Sequence, residues 1–346
     1  MSLISFIPII IYLVILKSLD SFKLVKWKGL CLGIMLGIAS CAVAYSVSDI
    51  AACLDISYYS PPAEELLKAL AAILLMRVIH IAFFAEALCY GAAVGAGFAL
   101  LENIVYLAYN PSMLPATALF RGMGTAMLHI GCTALFLTLL LLLTSPSPIH
   151  RRAVAKASGR YTTATLFALL LKDGWKLVAA LPSVFIHALY NIQYFSPLVR
   201  MLTVVVLFLI VFLLVSSYNE RRITRWMEQS IMYDVELLTA IRGGKLADTK
   251  AGEYLLAVKE QFDAEVFFDM ICYIQLYLEL TISAKSRMML REVGLPSAES
   301  DEERERRRSM TREFRVLRSN IGTMGEMVLH PIVRLTREDL KVVDDQ

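Results

Sequence analysis

Apolar residues gather into long runs over the first two thirds of the chain, with polar residues confined mostly to the gaps between them. The runs cover residues 3–16, 30–47, 64–81, 89–109, 116–143, 175–195 and 198–217. At ~1.5 Å rise per residue, a helix of about 20 residues crosses the hydrocarbon of a bilayer. The pattern therefore predicts about seven spans, the first slightly short and the fifth long enough to tilt. Residues 82–88 read as a short break between the third and fourth spans, and Pro111 and Pro115 mark the next gap. A segment at 162–171 reads as an interfacial helix, and Pro182 as a kink in the sixth span. Beyond residue 217 charges of both signs recur at short intervals. Helices are expected there at 220–242, 250–293 and 301–329, separated by Gly243-Gly244 and Gly294-Leu295-Pro296. The expected fold is all-α: a polytopic transmembrane bundle over residues 1–217 and a soluble helical domain over 218–346.

Composition agrees with the pattern. Of the 346 residues, 57% are hydrophobic, and a mean hydropathy of +0.60 belongs to a polytopic membrane protein. A net charge of only +3 leaves no electrostatic footprint for nucleic acid. The six cysteines form no CxxC, so neither a disulfide framework nor a zinc knuckle is expected. The first run has no basic leader and no small-residue cleavage site, so it is read as a retained span. Lys17, Lys23, Lys26, Lys28, Arg77, the cluster from Arg151 to Lys176, and Arg221 to Arg225 fall on one side of a seven-span alternation. Only Lys68, Arg121 and Arg200 fall on the other. By the positive-inside rule the N-terminus is outside and the C-terminus cytoplasmic.

Ionisable residues inside such spans are costly and call for a functional reason. Glu64 and Glu65 open the third span behind Pro61-Pro62, and Lys68 follows one turn later. Acids in a first helical turn favour its positive end, which alone explains part of this. Yet Glu102 lies ~10 Å below the outer end of the fourth span, His187 about 12 Å below that of the sixth, and His129 ~18 Å deep in the fifth. Four helices thus bring ionisable side chains to the outer half of one bilayer. Helical spacing lets Lys68 reach either glutamate. The glutamates themselves diverge by about 100°, so one is expected to face a site squarely and the other to pair with Lys68 or a neighbouring helix. Phe98, Glu102 and Tyr106 share a face with Asn103 beside them, and His187 and Asn191 share another. Gly91, Gly95, Gly97, Gly122 and Gly124 allow close helix contact.

Peptide hydrolysis without a Ser or Cys nucleophile needs a base to activate water and donors for the developing oxyanion. Glu64 or Glu65 suits the base, with His129 and His187 positioning the water or stabilising the oxyanion. Asn191 can add a hydrogen bond, Lys68 can hold the glutamate pair, and Glu102 can orient a histidine or share the water. The alternative is Zn²⁺ held by His129, His187 and Glu64 or Glu65, two imidazoles and a carboxylate with an open position. A third, non-enzymatic reading is a transporter or scaffold with an intramembrane ion site, although the paired repeats of many transporters are not visible.

The motifs Pro62-Ala63-Glu64-Glu65-x-x-Lys68, Tyr90-Gly91-Ala92-Ala93-Val94-Gly95-Ala96-Gly97-Phe98-Ala99-x-x-Glu102-Asn103-x-x-Tyr106, His129 and His187-Ala188-x-Tyr190-Asn191 resemble the PrsW family in the same order. That family belongs to the wider superfamily of CAAX prenyl endopeptidases, whose CAAX branch has a histidine where Glu102 stands. The resemblance implies an intramembrane endopeptidase of the bacterial inner membrane; the glutamate-base reading above needs no cofactor, and its alternative needs Zn²⁺. Its implied partners are the lipid bilayer and a membrane-anchored substrate such as an anti-sigma factor, cut near the outer face. Residues 218–346 carry no catalytic constellation and are read as a module for self-association or regulator binding.

Overall fold

The computed structural model describes residues 3–53, 60–112, 114–144, 174–192, 195–293, 295, 299–333, 338, 339 and 341. A 3-10 turn, Leu3–Phe6, leads into α1 (Ile7–Ser18), followed by α2 (Trp27–Cys53), α3 (Ser60–Val78), α4 (Phe84–Tyr109) and α5 (Pro115–Leu143). A second 3-10 segment, Gly174–Ala180, leads into α6 (Leu181–Asn191) and then α7 (Pro197–Arg242). The chain ends in α8 (Lys250–Val258), α9 (Ala264–Glu292) and α10 (Asp301–Leu329). No strand occurs among the described residues. Among the described residues, five helices (α2, α4, α5, α7 and α9) are long and apolar enough to cross a membrane, and two shorter apolar helices accompany them. α3 is 19 residues long, but Glu64, Glu65, Lys68 and Arg77 give it more charge than α2 or α4, which carry two charged residues each. The protein is an integral membrane protein built as a helical bundle.

α4 is the axis of the first unit. Its most apolar window is 89% buried, and α2 and α5 pack along it. The sequence explains the fit. A Cβ built at Gly95 would stand 2.3 Å from the His129 carbonyl oxygen, and one at Gly97 would stand 2.0 Å from that of Ile34. With hydrogens there instead, backbones of α5 and α2 close on α4 from two sides. Without a water-driven hydrophobic effect inside lipid, such close packing is a main source of helix association.

Four details differ from the sequence expectations. The break between the third and fourth spans falls at residues 79–83, not 82–88, because Glu86 caps α4. Its Oε2 accepts from the backbone N–H of Ala82 at 3.0 Å and of Phe83 at 3.2 Å. Pro182 starts α6 instead of kinking a longer span, since a proline lacks the N–H that the first turn leaves unused anyway. α7 runs 46 residues without interruption, as no Gly or Pro separates the last apolar run from the charged segment after it. The helix expected over 250–293 breaks at a 3-10 turn, Lys259–Gln261, and restarts at Ala264. The interfacial helix expected at 162–171, and most of the Arg151 to Lys176 cluster, lie outside the described residues.

Contacts divide the chain into two compact units, the first ending at Glu220 and the second taking up at Arg221. The second has its own apolar core, in which Tyr273 and Tyr277 of α9 face Phe314 of α10 with ring centroids 4.8 and 6.5 Å apart. α9 therefore spends its apolar stripe on a protein neighbour, although its length and composition suit a span.

Candidate active site

The cluster forms where the N-terminal turns of α3, the C-terminal part of α4, the N-terminal half of α5 and the C-terminal turns of α6 converge. Lys68 is at its centre and is only 1% exposed. Its Nζ donates to Glu65 Oε1 at 2.5 Å and to His129 Nδ1 at 2.8 Å, and it lies 4.7 Å from the Phe98 ring centroid. An isolated ammonium in such a place would be prohibitive, so the carboxylate, the imidazole and the ring face together make it tolerable. Glu65 Oε1 also accepts from His187 Nδ1 at 2.7 Å. Glu64 approaches the other nitrogen of the same ring, with Oε2 3.8 Å from Nε2. Both adjacent glutamates thus face His187, one at each ring nitrogen. Their roles still differ: Glu65 is paired with Lys68, whereas Glu64 stands farther from the ring and is more open.

With Lys68 as an ammonium and both imidazoles neutral, hydrogen-bond bookkeeping assigns the tautomers. An ammonium has donors only and a carboxylate acceptors only. With Lys68 donating to His129 Nδ1, the proton of neutral His129 resides on Nε2. With His187 Nδ1 donating to Glu65, Nε2 of His187 carries the lone pair. The two rings lie edge to face with centroids 5.1 Å apart. One therefore presents a donor and the other an acceptor at Nε2.

Glu102 completes the cluster from α4. Its Oε1 accepts from Arg121 Nη2 at 2.9 Å, and its Oε2 stands 2.8 Å from His129 Nε2. The latter pair is close but poorly aligned, and neither buried atom has a well-formed hydrogen bond among the described residues. Arg121 Nε also donates to Asn103 Oδ1 at 3.1 Å, and its guanidinium lies 3.8 Å over the Tyr106 ring. Asn103 and Tyr106 thus touch the cluster through Arg121. Asn191 ends α6 on an exposed surface, and no hydrogen bond among the described residues joins it to the cluster.

Three carboxylates here meet two basic side chains. Glu65 has Lys68 and Glu102 has Arg121, which leaves Glu64 without a cation among the described residues. Its side chain is 17% exposed against 2% for Glu65. Glu102 is as open, at 19%, but is held by Arg121, so Glu64 is the carboxylate that combines access to water with no cation partner among the described residues.

Sequence reasoning missed two contributors. Arg121 counted only as a loop charge, though a cation two turns before His129 in an otherwise apolar helix was the available signal. Ser183 donates to the Cys132 carbonyl at 2.8 Å and so fixes α6 on α5 one turn from each histidine. A serine in a membrane helix carries no distinguishing signal.

One ligating atom each from Glu64, His129 and His187 lies within 4.8 Å of the others, a set and spacing suited to Zn²⁺. His187 has the usual backing for such a ligand, a carboxylate on its far nitrogen. His129 does not: with an ammonium at Nδ1, its Nε2 holds the proton where a metal needs a lone pair. The spacing fits the ion, and the proton arrangement does not.

A family model described as PrsW family intramembrane metalloprotease matches residues 24–216, a stretch that contains the whole cluster. No curated protein and no solved structure matches the chain.

Proposed function

Because the chain belongs to the PrsW family of intramembrane metalloproteases and is therefore a membrane peptidase, we propose that it cuts a membrane-anchored regulatory protein of the anti-sigma-factor kind. Cleavage takes place near the extracytoplasmic face of a bacterial inner membrane, with the N-terminus of the enzyme outside and its C-terminus in the cytoplasm. The basic residues Lys17, Lys23, Lys26, Lys28, Arg221, Arg222 and Arg225 support that orientation.

In the proposed mechanism Glu64 takes a proton from a water held between its carboxylate and His187 Nε2. The water oxygen bonds to the scissile carbonyl carbon, and the Nε2–H of His129 donates to the oxyanion. Collapse breaks the carbon–nitrogen bond as Glu64 returns the proton to the departing amine. Glu65 and Lys68 act behind the histidines, holding their tautomers. The observation that supports this reading is Lys68 between Glu65 and His129 Nδ1; as an ammonium it would leave His129 a donor at Nε2.

A second reading has its own support in the compact Glu64, His129 and His187 set. Those three residues would hold Zn²⁺, which supplies a Lewis acid that makes bound water nucleophilic near neutral pH. It requires Lys68 to be an uncharged amine that accepts from His129 Nδ1. Purified enzyme dialysed against chelator separates the two. Retained cleavage with no stoichiometric metal by elemental analysis is expected, and loss of cleavage restored by Zn²⁺ overturns the metal-free mechanism.

The protease assignment to a regulator is tested by co-expression with tagged candidate membrane regulators. The parent enzyme is expected to convert one of them to a shorter product, and Glu64→Gln to leave it intact at equal enzyme abundance. An uncut regulator in every pairing, with the enzyme present at normal levels, sinks the substrate proposal.

A further inference from the structure

Arg121 has more contacts than charge neutralisation requires. One cation beside Glu102 would balance its charge. Instead three side chains from α4 grip the guanidinium: Glu102 Oε1 on Nη2 at 2.9 Å, Asn103 Oδ1 on Nε at 3.1 Å, and the Tyr106 ring under the plane at 3.8 Å. A planar fork held at two edges and one face has a fixed orientation, which a lysine cannot reproduce. Glu102 passes that orientation on. Its two oxygens bridge Arg121 and His129, which lie about 12 Å apart along α5.

We propose that Arg121 is a positioning residue of the active site: it holds the Glu102 carboxylate beside His129 Nε2 and so fixes the orientation of that imidazole in the site. This rests on the peptidase mechanism above. Asn103 and Tyr106 belong to the same clamp, which gives a physical role to two residues that make no hydrogen bond to either histidine among the described residues. Arg121 itself does not touch the reacting atoms.

The test uses full-length protein in detergent with two independent readouts. The first is cleavage of the regulator processed in co-expression, comparing the parent with Arg121→Lys, Arg121→Gln and Arg121→Ala. Outer-shell partners of site histidines are typically worth about 10- to 100-fold. A fall of that size in kcat is expected for the Gln and Ala variants, with KM within about twofold. Added guanidinium should restore much of the loss in Arg121→Ala, and Lys should recover only part. A rise in KM at constant kcat makes Arg121 a substrate-binding residue and overturns the proposal, as does parent-like kcat in Arg121→Ala.

The second readout needs no substrate. In ¹⁵N-histidine-labelled protein, the His129 ring should show a protected Nε2–H signal in the parent. That signal should be lost to solvent exchange in Arg121→Gln. Its survival there, or an Nδ1–H form in the parent, overturns the clamp. If the signal behaves as expected while no regulator is ever cut, the clamp stands and the substrate proposal fails.

Discussion

Glu64 and Glu65 are neighbours in sequence with different surroundings. Glu65 is 2% exposed and accepts from both Lys68 and His187, so it is a structural partner that happens to be acidic. Glu64 retains access to water. Glu64→Gln is therefore expected to stop processing by at least about 100-fold with unchanged abundance and thermal stability in detergent. Glu65→Gln should lower both activity and the melting temperature, because it strips Lys68 of its counter-charge. Lys68→Met is expected to destabilise by about 3–5 kcal/mol, the usual cost of stranding one partner of a buried pair, read as a lowered melting temperature. Unchanged melting in Lys68→Met means that the pair is not holding the site together. These residue types were legible before any coordinates, since charged and imidazole side chains inside apolar runs stand out. Their division of labour was not, because it depends on which neighbour each carboxylate meets across helices.

At the scale of elements, packing against glycines sets the geometry of the site. Gly95 faces the backbone carbonyl of His129 itself, so any side chain there pushes α5, and His129 with it, away from α4. Gly95→Val is expected to cost about 1–3 kcal/mol, as overpacking does, and to lower cleavage beyond what the stability loss explains. Cleavage at the parent rate in a folded Gly95→Val protein refutes that link. In the C-terminal unit, Glu299 accepts from Arg307 Nη2 at 2.5 Å and from Arg287 Nη1 at 2.8 Å. The Arg307 hydrogen bond, aided by Arg287, holds its carboxyl below the ordinary value of 4.5. A depressed carboxyl stabilises the fold fully above its unfolded value and loses that contribution as pH falls through the folded one. Amide-exchange protection around Glu299, corrected for intrinsic rates, should therefore be flat near neutrality and decline below about pH 4.5. In Glu299→Gln that acid-dependent decline should be smaller. Helix identity was readable from run length and charge spacing, whereas several ends were not. Glu86 moved one break by capping α4, and the uninterrupted α7 reflects only the absence of a breaker where composition changes.

At the scale of the molecule, α7 runs through both units, with its apolar first half in one and its charged remainder in the other. We propose that the C-terminal unit is a regulatory or self-association module. Its removal after Arg242 is then expected to change the extent of processing or the oligomeric size in detergent. Unchanged cleavage, abundance and size would leave it without that role. The amino-acid sequence by itself determined that this is a helical membrane protein, where its spans lie, and which few side chains are too costly in lipid to be there by accident. These follow from solvation, which acts on each residue where it stands. Only the tertiary structure decided that Lys68 lies between Glu65 and His129, that Arg121 grips Glu102, and that Glu64 is left over. Those assignments depend on distances of a few ångströms between helices far apart in the chain, and no local rule of spacing specifies them.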